Sequence, residues 1–312
     1  MPNAKSWTAD DMPDLAGKTV IVTGGNSGIG YEAALQFARK NAQTILACRS
    51  LDKANAAAAQ IIAANPGARV EVMELDLSSL ASIRNFADAF HKSNPRLDAL
   101  VNNAGVMALP YRKTVDGFEM QFGTNHLGHF ALTGLLLEVL RGTDGARVVN
   151  VASGAHRMGR IRFDDLQWER RYYKWFAYGQ SKLANLLFTF ELQRRLDAAH
   201  AKLLAVACHP GYAATNLQAA GPRMNRSSAM ESLWATLNGT FAQSAAMGAL
   251  PTLYAATASD VRGGDYIGPD GFAEMWGYPT KANPSAAAKD ATVAAKLWDV
   301  SEQLTKVHYA FN

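Results

Sequence analysis

The chain has 312 residues, 48% apolar and 19% charged, with 25 glycines and 11 prolines. These proportions exclude a disordered, collagen-like or disulfide-scaffold protein, and the length allows a sizeable core without metals or disulfides. Lysine plus arginine number 31 against 27 acidic residues, a net charge of +4, and the basic residues are dispersed, so no nucleic-acid surface is expected.

Residues 1–16 read as an N-terminal extension, polar and acidic, with no apolar core of a signal peptide. From residue 17 to 312 a single domain is expected, because no repeat, linker or composition break interrupts the chain. Lys18–Thr23, Gln43–Cys48, Arg69–Leu75, Leu97–Val101, Ala146–Ala152 and Lys202–Cys208 are short, nearly continuous apolar runs. Such runs mark strands buried on both faces, hence a parallel sheet. Helical patterns alternate with them near 29–40, 51–64, 79–92, 115–141 and 176–199, and Ser79 is placed to cap the third. The pattern predicts a doubly wound α/β sheet with helices on both faces. Beyond it, Asn216–Asn238 is irregular and reads as a substrate lid. Ser244–Ala258 reads as a helix, Gly263–Pro269 as an edge strand and turn, and Pro284–Leu304 as a closing helix.

No stretch reaches the length of a membrane span; Leu127–Leu140 comes closest and carries His129 and Glu138. Cys48 and Cys208 lie far apart in apolar runs, which suits a reducing cytoplasm.

The first strand runs directly into Thr23-Gly24-Gly25-Asn26-Ser27-Gly28-Ile29-Gly30, and a helix follows. Glycines there permit a sharp turn and a close backbone approach to a pyrophosphate, whose charge the helix N-terminus favours. The second strand ends in Cys48-Arg49-Ser50, with no carboxylate to repel a 2′-phosphate and a guanidinium suited to bind one. NADP is therefore expected over NAD, although Arg49 could also be an ordinary surface arginine.

Tyr178 and Lys182, four apart, share one helix face, and this is the only Tyr-x-x-x-Lys in the chain. Strand five ends at Ser153 and strand four at Asn102-Asn103-Ala104-Gly105, which puts them at the carboxyl edge, where open α/β sheets bind ligands. His126 and His129, three apart on a helix, lack further ligands at a recognisable spacing, so no metal site is expected.

Taken in order, Thr23–Gly30, Asn102–Gly105, Asn125, Ser153, Tyr178 with Lys182, and Pro210-Gly211 resemble the short-chain dehydrogenase/reductase family. Ala47-Cys48-Arg49, Thr124–Phe130, Phe176–Asn185 and the long interval from Ser153 to Tyr178 are similar to its retinol dehydrogenase-like and carbonyl-reductase branch. The resemblance covers roughly residues 16–270 and implies a Rossmann-type domain and hydride transfer between NADP and a carbonyl or alcohol. It implies that Tyr178 is the general acid/base, with Lys182 favouring its phenolate and holding the nicotinamide ribose. Ser153 would hydrogen-bond the substrate oxygen, and Asn125 would hold a water in the proton relay. Gly24, Asn26, Ser27, Gly28, Ile29 and Gly30 would take the pyrophosphate, and Asn103, Ala104 and Gly105 the ribose side. Asp76 and Leu77 would take the adenine, and Pro210, Gly211 and Thr215 would close over the nicotinamide.

The segments Gly154–Trp175 and Tyr212–Gly239 hold Met158, Trp168, Tyr172, Tyr173, Trp175, Tyr212, Met224, Met230, Leu233 and Trp234, which suit a bulky apolar alcohol or ketone. They equally suit a lid packed on the sheet or an oligomer contact. The apolar N-terminal anchor of membrane-bound retinol dehydrogenases is missing here, which argues against retinoids as substrates. Phe176–Ala199 has more apolar width than one stripe, with Leu183, Leu186, Leu187 and Phe190; it could form a homodimer or lie under the C-terminal helices. A redox-sensing regulatory protein on the same fold is the competing class, but such sensors lose the tyrosine or lysine that this chain keeps.

Overall fold

The computed structural model describes residues 6–213 and 243–311. The expected lid and Thr215 lie outside the described residues.

The predicted strands form as β1 (Thr19–Thr23), β2 (Gln43–Cys48), β3 (Val70–Glu74), β4 (Ala99–Asn102), β5 (Arg147–Val151) and β6 (Leu204–Cys208). With β7 (Tyr266–Pro269) and β8 (Pro279–Lys281) they make one sheet in the order β3-β2-β1-β4-β5-β6-β7-β8, parallel except for the last pair. The order reverses direction between β1 and β4, which opens a crevice at their carboxyl ends. Between the strands run α1 (Gly28–Arg39), α2 (Leu51–Ala64) and α3 (Leu80–Ser93). Ser79 does cap α3, its side chain accepting from Ser82 N.

Three expectations are corrected. The segment 115–141 is not one helix. Val115–Phe118 form a turn closed by Thr114 N donating to Phe118 O at 2.7 Å, with Gly117 at φ +86°. Helix begins only at α4 (Met120–Phe122), where the Glu119 carboxylate accepts from Gln121 N and Phe122 N at 3.0 and 2.8 Å. A π-helical turn, Gly123–Leu127, then leads into α5 (Gly128–Leu135), and a break at Leu136 leads into α6 (Leu137–Arg141). Second, β7 is not the edge strand. The antiparallel β8 covers it, a three-residue, largely exposed strand with no apolar alternation to reveal it. Third, the closing helix is divided into a 3₁₀ turn, Ala286–Lys289, and α9 (Ala291–Thr305), because Asp290 caps the latter by accepting from Val293 N. The long α7 (Lys174–Ala198) and α8 (Ala245–Thr257) complete the set.

The strands alternate their side chains between two layers. One face carries Val20, Val22, Leu46, Val101, Val149 and Val206, packed against α1, α2 and α8 through Phe37, Ile61 and Leu253. Met12 and Leu15, from the stretch set apart as an extension, are buried in this layer. The other face carries Ile21, Ile45, Leu100 and Val148 against α3, α5, α6, α7 and α9. Both readings of α7's broad apolar surface were open. In the structure its Leu183, Leu186 and Leu187 share a buried cluster with Ala294 and Leu297 of α9, and Phe190 packs half-buried at the edge of that cluster.

Candidate active site

Six strand ends, the π-helical turn and α7 supply the site. At the end of β1 the turn leaves Gly24, Asn26, Ser27, Gly28 and Ile29 partly or fully exposed, whereas Gly30 is buried. Gly24 has φ +66°. At Gly30 a Cβ would lie 2.5 Å from both Asn103 Nδ2 and Gly24 O, so only glycine lets the first turn of α1 close on the strand ends. The result is a trough of backbone in front of a helix N-terminus, the geometry that accepts an anionic group. Arg49, at the end of β2, is exposed, and no described residue engages its guanidinium in a hydrogen bond or ion pair. Behind it Cys48 is buried, its thiol pushed up to about 11 by burial while the Gly25, Asn26 and Gly24 amides oppose the rise. After β3, the half-buried Asp76 accepts from Ser78 N and Oγ at 2.9 and 2.7 Å through Oδ1, and Leu77 is buried next to it.

Asn103, Ala104 and Gly105 leave β4 along the other wall. Asn103 N and Ala104 N both donate to Thr23 Oγ1 at 2.9 Å, and Asn103 Nδ2 donates to Thr23 O at 2.8 Å. Asn125 lies in the π-helical turn and is wholly buried. Its side chain clamps the same loop, Oδ1 accepting from Val106 N at 2.8 Å and Nδ2 donating to Val106 O and Ser181 Oγ at 2.9 Å.

Ser153 follows β5 and opens a 3₁₀ turn, Gly154–Met158, its Oγ accepting from Ala155 N at 3.2 Å. His156 in that turn donates Nδ1–H to Ser153 O at 2.8 Å and accepts from Ser285 N at 3.1 Å, so it fixes the serine backbone. Tyr178 and Lys182 rise from the first turns of α7, both buried. Burial pushes the Tyr178 phenol up to about 12, opposed by its hydrogen bond with the Ser153 side chain. Burial holds the Lys182 ammonium down at about 8. The expected lowering of the phenol by its lysine does not emerge: Nζ lies 5.8 Å from the ring centroid and donates to Val151 O at 2.9 Å. The tyrosine is thus a neutral buried acid, hydrogen-bonded to a serine, with an ammonium on its helix face.

Pro210 and Gly211 follow β6. Pro210 O accepts from Gln243 Nε2 at 2.7 Å, and Gly211 N donates to His209 Nδ1 at 3.3 Å. The His209 Nε2–H then points to Glu274 Oε2 at 3.1 Å. Of the expected pocket residues, Met158, Tyr173 and Trp175 are exposed, and Trp175 packs edge-on to Tyr178 at 6.4 Å. Trp168 is buried and Tyr172 Oη donates to Leu109 O at 2.9 Å, so these two hold the fold. Met224, Met230, Leu233 and Trp234 lie outside the described residues.

Thr23 acts as a clamp beyond the residues singled out in the sequence, and His126 and His129 are hydrogen-bonded structural histidines. His126 Nε2 pairs with Ser301 Oγ at 2.9 Å, which joins the π-helical turn to α9. His129 reaches Thr23 and Asn125, as described below. A threonine at the last position of a strand ahead of a glycine turn was the available signal for the first; nothing in the spacing marks the second.

Comparison with known proteins agrees with this geometry. The model of the family described as short chain dehydrogenase matches residues 18–225. Mouse retinol dehydrogenase 12 is 43% identical over 297 residues, covering 95% of this chain and 88% of that protein. Human retinol dehydrogenase 13 is 43% identical over 293 residues, covering 93% and 85%. Among solved structures, an uncharacterized protein from Mycobacterium paratuberculosis superposes with a TM-score of 0.81 at 48% identity, covering 98% of this chain and all of that one. RhlG of Pseudomonas aeruginosa, solved as an NADP active-site complex, gives a TM-score of 0.62 at 26% identity, covering 81% and 94%. The chain belongs to the short-chain dehydrogenase family. Within it the similarity places the chain in the retinol dehydrogenase-like branch, and it is an oxidoreductase of CH–OH or C=O groups that uses a nicotinamide nucleotide.

Proposed function

We propose that the chain is an NADP-dependent oxidoreductase that interconverts a bulky apolar alcohol and its carbonyl, with Tyr178 as general acid/base. The observation that carries this reading is the meeting, at one sheet edge, of Ser153 at the end of β5 with the buried Tyr178 and Lys182 of α7, whose Nζ donates to Val151 O of β5, beside the glycine trough. The residues fit a dinucleotide: a Cβ at Gly30 would clash with Asn103 and Gly24 and push the first turn of α1 off the strand ends, and the Arg49 guanidinium is uncommitted among the described residues. Gly24, Asn26, Ser27, Gly28, Ile29 and Gly30 would hold the pyrophosphate, and Arg49 a 2′-phosphate. Asp76 and Leu77 would hold the adenine, and Asn103, Ala104 and Gly105 the ribose side. Pro210, Gly211 and, beyond the described residues, Thr215 would cover the nicotinamide. When bound, the cofactor supplies or accepts the hydride.

The chain's own residues handle the proton and the substrate oxygen. In the reducing direction Ser153 Oγ donates to the carbonyl oxygen as charge gathers there, and Tyr178 Oη delivers the proton. A phenol held near 12 is protonated throughout the neutral range, which suits the donor role. In the oxidising direction Tyr178 must be a phenolate, so with the phenol held near 12 this direction is expected to strengthen as pH rises. The names of the retinol dehydrogenase relatives and the exposed Met158, Tyr173 and Trp175 support an apolar substrate. A cytoplasmic setting is inferred from two free, buried cysteines, Cys48 and Cys208.

Following NADPH and NADH oxidation with aldehydes, ketones and quinones tests the reading, and a preference for NADH overturns the NADP assignment. One charge-assisted hydrogen bond from Arg49 to phosphate corresponds to a preference for NADPH of roughly 10- to 100-fold. Arg49→Ala removes that preference if the guanidinium holds the phosphate. If it instead stacks on the adenine, both cofactors lose affinity equally.

A further inference from the structure

We propose that His129 is a positioning residue: a neutral imidazole strut that fixes the cofactor-facing strip Asn103–Gly105 at a set distance from the Asn125 turn. The proton accounting leaves one arrangement. Thr23 Oγ1 already accepts two backbone N–H groups, from Asn103 and Ala104, at 2.9 Å each. Its own proton goes to His129 Nε2 at 3.0 Å, the other acceptor in reach, Val101 O, being at 3.3 Å. On the far side of the ring, Nδ1 lies 3.0 Å from Asn125 O, a carbonyl that can only accept. The proton must therefore sit on Nδ1, and Nε2 must be bare.

One side chain thus bridges β1, the β4 exit and the π-helical turn. It is 2% exposed, and burial together with the Lys182 charge holds it far below an ordinary histidine, at about 4. The spacing it maintains is tight: a Cβ on Gly105 would lie 3.1 Å from Asn125 Oδ1 and 3.7 Å from Lys182 Nζ. An imidazolium would turn a third donor on Thr23 Oγ1 and break the arrangement. The proposal rests on the nicotinamide-nucleotide reading of the site.

The two halves of the strut separate chemically. His129→Asn places an amide N–H where Nδ1 stands, so it keeps the bond to Asn125 and loses the acceptor for Thr23. His129→Gln extends a carbonyl toward Thr23 and loses the bond to Asn125. Cofactor affinity is read by fluorescence titration with NADPH, and kcat at saturating NADPH with the substrate found active for wild type. His129→Asn is expected to raise the NADPH Kd about tenfold, the scale of one buried hydrogen bond, with kcat within about twofold of wild type. His129→Gln is expected to reverse this, holding Kd and lowering kcat. NADPH affinity and kcat falling together in proportion to Tm in both variants, or neither moving, overturns the proposal. A ¹⁵N spectrum of histidine-labelled protein without cofactor should show His129 protonated at Nδ1 alone at pH 7; the Nε2 tautomer or an imidazolium overturns the proposal. That spectrum needs neither cofactor nor a folded variant. If wild type fails to bind NADPH, the cofactor reading falls while the strut is still decided.

Discussion

The two faces of the sheet are built from different materials. The layer of α1, α2 and α8 is filled with alanine, valine, leucine and phenylalanine, and it shapes the glycine trough only by packing. The opposite layer buries a polar ladder. Asn102 Nδ2 donates to Thr133 Oγ1 and Asn150 Oδ1 at 3.0 and 2.8 Å, Asn150 Nδ2 donates to Thr189 Oγ1 at 2.9 Å, and Thr189 donates to Asn185 O at 2.8 Å. The rungs join β4 and β5, paired at Asn102 and Asn150, to the helix that carries Tyr178 and Lys182. Apolar packing tolerates sliding, whereas a hydrogen-bonded ladder has one register. The face that must hold reacting atoms in place is the one that pays the desolvation of buried amides.

The sharpest break of this contrast is chemical. Tyr178→Phe leaves the ring and both layers intact, so NADPH titration should be near normal while turnover falls at least about 10²-fold. Near-normal turnover with the active substrate would remove Tyr178 from its role. Next come matched substitutions in the two layers. Leu253→Ala empties part of the apolar face, with an expected loss of roughly 2–5 kcal/mol in denaturant unfolding and unchanged kcat per folded molecule. Asn150→Ala takes one of two hydrogen-bond partners from each of Asn102 Nδ2 and Thr189 Oγ1 and should cost about 1–3 kcal/mol, yet lower kcat severalfold as well. Equal effects on kcat would erase the distinction between the faces.

The smallest effect is in the pH dependence. His126 and His129 sit on the polar face at about 3 and about 4, well below the ordinary 6.5, both because burial disfavours the charge. Below pH 6.5 the unfolded chain takes up protons that these two refuse in the native state, so their stabilising contribution is complete above 6.5 and lost as pH falls toward 4. Thermal midpoints measured from pH 8 to pH 4 should decline across that window. The decline should be shallower in His126→Gln, and an unaltered slope would show that other groups govern it.

Much of the apolar face was legible from residue order. Strands buried on both sides are continuous hydrophobic runs, and the turn Gly24–Gly30 announces itself because glycine is demanded by backbone approach. Tyr178 and Lys182 were legible through helical spacing. The polar layer was not. A buried asparagine in an apolar run, such as Asn102 or Asn150, has no period of its own, and its partners come from distant segments. The break in the helix was hidden for a similar reason: Glu119 and Gln121 look like ordinary helix residues, but their side chains cap and clamp the loops around them. β8 escaped notice because three largely exposed residues beginning with Pro279 carry no alternation.

The partners of the polar face also lie far apart along the chain. Tyr309 Oη donates to Phe130 O across 179 positions, His126 meets Ser301 across 175, and Arg84 donates to Thr305 O across 221. Closing such large loops costs chain entropy before any contact repays it, so this layer has a high contact order compared with the adjacent β1–α1–β2 unit. In native-state hydrogen exchange, the amides of α5 and α9 are expected to open in a subglobal step while those of β1 and β2 wait for global unfolding. Denaturant or heat should then silence turnover before it dissolves the β1–α1–β2 unit, leaving a partly open molecule whose glycine turn is still folded.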